Sequence, residues 1–80
     1  MAILEVGEAK IVNLTDTMQI RVQEKIDLNQ KRRVDIRVWV KFPNLDHWIP
    51  DPTKKRGLFL RLEDFKDRLM PALKEFEKSL

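Results

Sequence analysis

Cysteine is absent from the 80 residues, which excludes a disulfide frame, a thiolate nucleophile and a thiolate metal site. The single histidine, His47, would leave a zinc site to be built mostly from carboxylates, so no metal or cofactor is expected. Serine is nearly absent too: Ser79 stands in the tail, and no nucleophile accompanies the neighbouring Asp46 and His47. That pair reads as solvated loop residues, and no catalytic residue is expected. Glu63, Asp64 and Asp67 suggest a metal cluster only on paper, because successive helix positions point apart. Their plain role is to place negative charge at a helix N-terminus. No apolar run is long enough to span a bilayer, and MAILEVGEAK lacks the basic and apolar regions of a signal peptide. A soluble, cytoplasmic protein without a membrane partner is expected. Eighty residues allow one domain with a thin core, which a second copy would thicken.

Charge is plentiful and unevenly placed. Residues 1–17 carry a net −2 and residues 62–80 a net −1, whereas residues 18–61 set eleven Lys/Arg against five Asp/Glu, a net +6. An acidic partner is the natural inference from that central excess.

The same central segment alternates. In RRVDIRVWVKF, Val34, Ile36, Val38, Val40 and Phe42 form the list that a strand buries. Arg33, Asp35, Arg37, Trp39 and Lys41 form the list it shows to water, and the largest apolar side chain is on that second list. MQIRVQEKIDL alternates equally well, with Met18, Ile20, Val22, Ile26 and Leu28 on one face and Glu24 as the exception. Two such runs separated by Asn29-Gln30-Lys31 predict a β-hairpin. Both strands bury even-numbered residues, so paired positions must sum to an even number. A three-residue loop centred on Gln30 pairs Ile26 with Val34, Val22 with Val38 and Ile20 with Val40 on the apolar face. It pairs Lys25 with Asp35, Asp27 with Arg33 and Arg21 with Trp39 on the other. The two opposite-charge pairs are each worth roughly 0.2–1 kcal/mol.

Residues 43–57 hold three of the four prolines and read as a loop with a short strand around Trp48. GLFLRL then reads as a strand, with Leu58, Leu60 and Leu62 on one face and Phe59 and Arg61 on the other. Leu62, Phe65, Leu69, Leu73, Phe76 and Leu80 recur at spacings of three and four, the stripe of an amphipathic helix. Pro71 predicts a kink or break near Leu69–Pro71. The mixed charge of the helix's polar face makes the stripe core or dimer interface, not a membrane anchor. Residues 3–14 predict an added N-terminal strand within a 1–17 extension that precedes the 18–80 domain. The expected architecture is α+β: a strongly twisted antiparallel sheet of about four strands, a C-terminal helix across its apolar face, and homodimeric assembly.

The opposite face would present Arg21, Lys25, Arg33, Arg37, Lys41 and Arg61, with Trp39 and Phe59 among them. Unpaired bases stack on such rings while the cations hold phosphates, a combination suited to single-stranded nucleic acid. A duplex hides its base faces and would gain little. The competing reading stacks Arg21 on Trp39 as a cation–π pair under the N-terminal strand or a dimer partner.

VDIRVWV, followed by WIPDPTKKRGLFLRLEDF, resembles the C-terminal domain of the transcriptional coactivator positive cofactor four. The small prokaryotic relatives resemble it most, through a Val-Asp-Ile/Leu-Arg-aromatic strand and a Trp-x-Pro-Thr-Lys-Lys-Gly loop. The resemblance covers residues 18–80. It implies a homodimer of four-stranded sheets that binds single-stranded DNA in grooves formed by its β-ribbons, serving transcription, replication or repair without enzymatic activity. It puts Arg37 and Trp39 in the DNA-contacting strand and makes Lys54 and Lys55 the paired lysines of the contact loop. Arg56 adds a third cation there. A prokaryotic member would be associated with the nucleoid. The chain departs from the pattern at Val40, where relatives often carry an aromatic, and at the additional Asp51-Pro52 and Arg56. Residues 1–17 have no clear counterpart. Two alternatives stand beside DNA binding: an interaction module pairing with a transcription or replication protein, and an RNA-binding protein, which these residues do not separate from a DNA-binding one.

Overall fold

The two alternating segments form the centre of the molecule. The computed structural model describes residues 3–44, 46–53 and 57–80. Its strands are β1 (Leu4–Thr15), β2 (Met18–Ile26), β3 (Arg32–Val40), β4 (Ile49–Pro50) and β5 (Leu58–Arg61), and a C-terminal helix follows. All pairings are antiparallel, in the order β1-β2-β3. β4 and β5 share the far edge of β3, β4 beside Trp39 and Val40 and β5 beside Arg33 to Ile36. The fold is α+β, an antiparallel sheet of four to five strands with one C-terminal helix, as the patterning predicts. The N-terminal extension contributes β1.

The hairpin forms, but its register differs from the predicted one by two residues. Ile26 pairs with Arg32, Glu24 with Val34, Val22 with Ile36 and Met18 with Val40. The turn is Leu28-Asn29-Gln30, centred on Asn29 and not on Gln30. Asp27 decides this: its Oδ1 accepts the N–H groups of Asn29 and Lys31, both at 2.9 Å, and its carbonyl accepts the Gln30 N–H at 2.9 Å. Gln30 then takes the left-handed conformation, φ +62°, that closes a three-residue loop. A slip of two preserves side-chain parity, so the strand residues keep their predicted faces; Leu28 and Phe42, predicted on the buried list, instead fall in the turn and beyond β3 and are exposed. The predicted contacts survive as diagonals: Lys25 to Asp35 at 2.6 Å, Arg33 to Asp27 at 2.7 Å, and Arg21 over Trp39. Glu24, out of pattern on the apolar face, pairs with Arg32.

β1 carries a bulge. Its pairing steps from Val6–Glu24 to Lys10–Val22, so Gly7, Glu8 and Ala9 stand against Gln23 alone. Gly7 adopts φ +68°, which only glycine takes without strain. The buried Gln23 side chain locks the bulge by donating from Nε2 to the Val6 and Gly7 carbonyls at 3.0 and 2.9 Å. Two extra residues leave the side-chain parity of β1 intact.

The helix begins as α1 (Leu62–Asp64), widens into a π-helical stretch over Phe65–Leu69 and continues as α2 (Met70–Lys78). The Met70 N–H reaches back five residues to the Phe65 carbonyl. The irregularity ends just before Pro71, whose missing N–H and bulky ring cannot join a regular ladder. The expected helix lying across the apolar face is not what forms. Its first turn packs against β3, whereas every residue from Pro71 to Leu80 is exposed. Among the described residues Val34 is the one buried hydrophobic side chain, at 5 % exposure. The remaining apolar residues of β2, β3 and β5 on that face are at most half-buried. No helix among the described residues is long and apolar enough to cross a membrane.

Candidate nucleic-acid interface

The register gathers the predicted residues on one face. Arg21 and Lys25 of β2 lie beside Arg33, Arg37 and Trp39 of β3, while Phe59 and Arg61 of β5 pair with Asp35 and Arg33. Lys41 falls just beyond β3, exposed, its N–H donating to the Thr17 carbonyl at 3.0 Å. Lys54, Lys55 and Arg56 lie outside the described residues. Gly57 brings β5 against β3 so closely that a Cβ there would clash with the Ile36 carbonyl oxygen.

Trp39 is half-buried, with one partner already on its ring. The Arg21 guanidinium carbon sits 4.1 Å from the ring centroid. A relay holds it there: Asn13 Oδ1 accepts from Gln19 Nε2, and Gln19 Oε1 accepts from Arg21 Nε, both at 2.9 Å. Gln19 is buried and is the cross-strand partner of Trp39. The guanidinium is therefore oriented, and its outer plane extends the indole as a second flat, cationic platform. Arg33 lies 5.8 Å from the Phe59 centroid in a looser version of the same arrangement.

Most cations of this face are paired. Asp35, 3 % exposed, accepts from Lys25 at 2.6 Å and from Arg37 at 3.0 Å. Asp27 takes Arg33, and Asp64 takes Arg61 at 2.9 Å. Backbone donation from Lys31, with Arg33 beside it, holds the Asp27 carboxyl below the usual carboxylate range. The Arg61 guanidinium does the same for Asp64. Among the described residues, no carboxylate stands within ion-pair distance of Arg21 or Lys41. The formal count of cations thus overstates the free positive charge of the face.

Among the described residues, hollows open over the sheet and beside it. A groove of about 500 Å³ runs over Arg21, Gln23, Asp35, Arg37 and Trp39, with Glu5, Glu8 and Ile11 of β1 as its other wall. β1 and β3 both flank β2, so the groove runs over the central strand between side chains of its two neighbours. A second hollow of about 750 Å³ lies between the β2–β3 turn and the helix start, lined by Lys31, Arg32, Arg33 and Arg61 with Glu63. Sequence reasoning missed Glu5, Glu8, Ile11, Lys31 and Arg32 as wall residues. The available signal was Gly7, since an isolated glycine inside a strand pattern marks a bulge. Among the described residues no group of three His, Cys, Asp or Glu stands close enough to hold a metal ion. Asp46 and His47 are exposed. Comparison with protein-family models, curated proteins and solved structures gave no match.

Proposed function

We propose that the protein is a non-enzymatic, homodimeric single-stranded-DNA-binding protein of the kind that positive cofactor four exemplifies, serving transcription, replication or repair. The observation that carries the reading is the one face that gathers Arg21, Arg33, Arg37, Trp39, Phe59 and Arg61 beside an open groove; the Arg21 stack on Trp39, which the competing reading also expects, leaves that face in place. Bases stack in the groove, on indole or guanidinium. Phosphates follow the hollow of Lys31, Arg32, Arg33 and Arg61, competing there with the carboxylates that pair the three arginines, joined by Lys41 and, on sequence alone, by Lys54, Lys55 and Arg56. Titration of tryptophan fluorescence with a mixed-sequence single strand, its duplex and the equivalent RNA tests this. Single-stranded DNA should bind more tightly than duplex. Trp39→Ala should weaken it by about 1–3 kcal/mol, the scale of one base–aromatic stack. Replacing Lys54 and Lys55 by Ala should flatten the slope of log K against log salt by about 1.4, two phosphates' worth on a single strand. Wild-type affinity in Trp39→Ala would overturn the platform.

One observation favours a second reading. The pairing of Lys25, Arg33, Arg37 and Arg61 with carboxylates suits a protein-interaction surface anchored by Trp39, with weak and non-specific nucleic-acid affinity. Indistinguishable, feeble binding to single strand, duplex and RNA would favour it.

A further inference from the structure

We infer that the groove over Trp39 reads base edges through Glu5 and Glu8, and so favours guanine over thymine in the strand it holds. The inference rests on the single-stranded-DNA reading and deepens it. The first ground is charge: the groove wall sets Arg21, Lys25 and Arg37 against Glu5, Glu8 and Asp35. A balanced lining offers a phosphate no net attraction. The groove's polar groups therefore suit the uncharged bases of a strand better than its backbone.

The second ground is the availability of groups. Asp35 is consumed by Lys25 and Arg37, and the Gln23 amide donors by the bulge carbonyls. Among the described residues, Glu5 and Glu8 make no ion pair, and both are exposed at the groove wall. Among those residues their oxygens are held by solvent alone, which a ligand can displace. Third, the placement is built: the bulge that presents Glu8 is pinned by a buried glutamine, and Glu5 sits in register with Lys25. At about 500 Å³ the groove has the size of a small-ligand site.

A carboxylate facing the Watson–Crick edge of a base stacked on Trp39 meets a different pattern for each base. Guanine presents two adjacent donors, N1–H and N2–H, that match the two carboxylate oxygens. Cytosine and adenine each present one amino group beside an acceptor. Thymine presents a single N3–H between two carbonyls that repel the carboxylate. Guanine should bind best and thymine worst.

The test titrates the wild-type protein with an alternating thymine–guanine strand, an all-thymine strand of equal length, and a thymine–hypoxanthine strand, in lithium buffer to prevent guanine self-association. Hypoxanthine lacks the N2 amino group. The guanine strand should bind about tenfold more tightly than all-thymine, within the range of one bidentate base contact, and hypoxanthine should fall between. In Glu5→Gln/Glu8→Gln the preference should collapse to about twofold without loss of affinity for thymine, because two charges that repel the backbone are gone. Equal wild-type affinity for all three strands, or an unchanged preference in the variant, would overturn the base-reading role and leave DNA binding standing. Failure to bind any strand would overturn both.

Discussion

Trp39 stands on a polar face because Arg21 stacks on it, and Arg21 is held there by Gln19 and Asn13. The alternation of β3 predicts the anomaly, and parity puts Arg21 within reach; the Gln19 relay is beyond sequence reading, because nothing in a pattern says which of many polar residues will be buried. Asp35 illustrates the same limit from the other side. It lies on the list of water-facing residues yet is 3 % exposed, with Lys25 and Arg37 paired to it and Phe59 as its cross-strand neighbour. Its removal should have two separable effects. Asp35→Asn leaves two partly exposed cations without their anion, which should destabilise the fold by about 1–3 kcal/mol, discounted from a fully buried pair for the exposure of Lys25 and Arg37. It also frees those cations for phosphates, so the salt slope of DNA binding should steepen by up to about 1.4. Urea unfolding and a salt titration read the two effects independently, and an unchanged salt slope would mean that Lys25 and Arg37 never face the backbone.

At the scale of elements, the β2–β3 turn is where the sequence is ambiguous and the structure is not. Even parity permits registers centred on Asn29 or Gln30 alike, because both keep every apolar residue on one face. The choice falls to Asp27, whose side chain captures two backbone N–H groups, and to Gln30, which accepts φ +62°. Gln30→Gly should therefore stabilise the protein by about 0.5–1 kcal/mol, relief of the left-handed strain outweighing the added freedom of the unfolded chain. A lower urea midpoint would contradict this. The turn should also carry a pH signature. Asp27 is held below the usual carboxylate range when folded, so its contribution is complete above the unfolded value near pH 4 and is lost as the pH falls further. Asp27→Asn should be less stable than wild type at neutral pH, and the two should converge in acid. A difference independent of pH would show that the Asp27 charge does not matter. The β1 bulge and the π-helical stretch were legible only as a glycine and a proline out of place, because their geometry depends on partners, Gln23 and the Phe65 carbonyl, that spacing does not reveal.

The whole molecule exposes more than a chain of its size should. Its accessible surface is 6604 Å², against about 5,100 Å² for a compact monomer of equal mass. Its radius of gyration is 14.3 Å, against about 11.6 Å for that length. The excess of about 1,500 Å² exceeds the roughly 800 Å² that each partner of a standard interface buries and lies in the range of obligate homodimers. It has an address as well as a size. Leu73, Phe76 and Leu80 are 48 %, 62 % and 88 % exposed along α2 and the tail, and on the apolar side of β2, β3 and β5 Leu58 is 51 % exposed and only Val34 of the described residues is buried. One chain supplies both a ridge and a floor, which is the self-complementarity that a two-fold dimer needs. The opposite face, with Trp39 and its groove, stays free for a ligand. The proposed homodimer is therefore expected to be the folded unit, with a light-scattering mass of about twice 9.6 kDa at micromolar concentration. Its Tm should rise with protein concentration, because association then contributes to folding. Phe76→Glu, which puts a charge on the ridge and touches nothing in the groove, should shift the mass toward monomer and lower the Tm. A monomeric wild type whose Tm is independent of concentration would require the apolar face to be covered from within the chain.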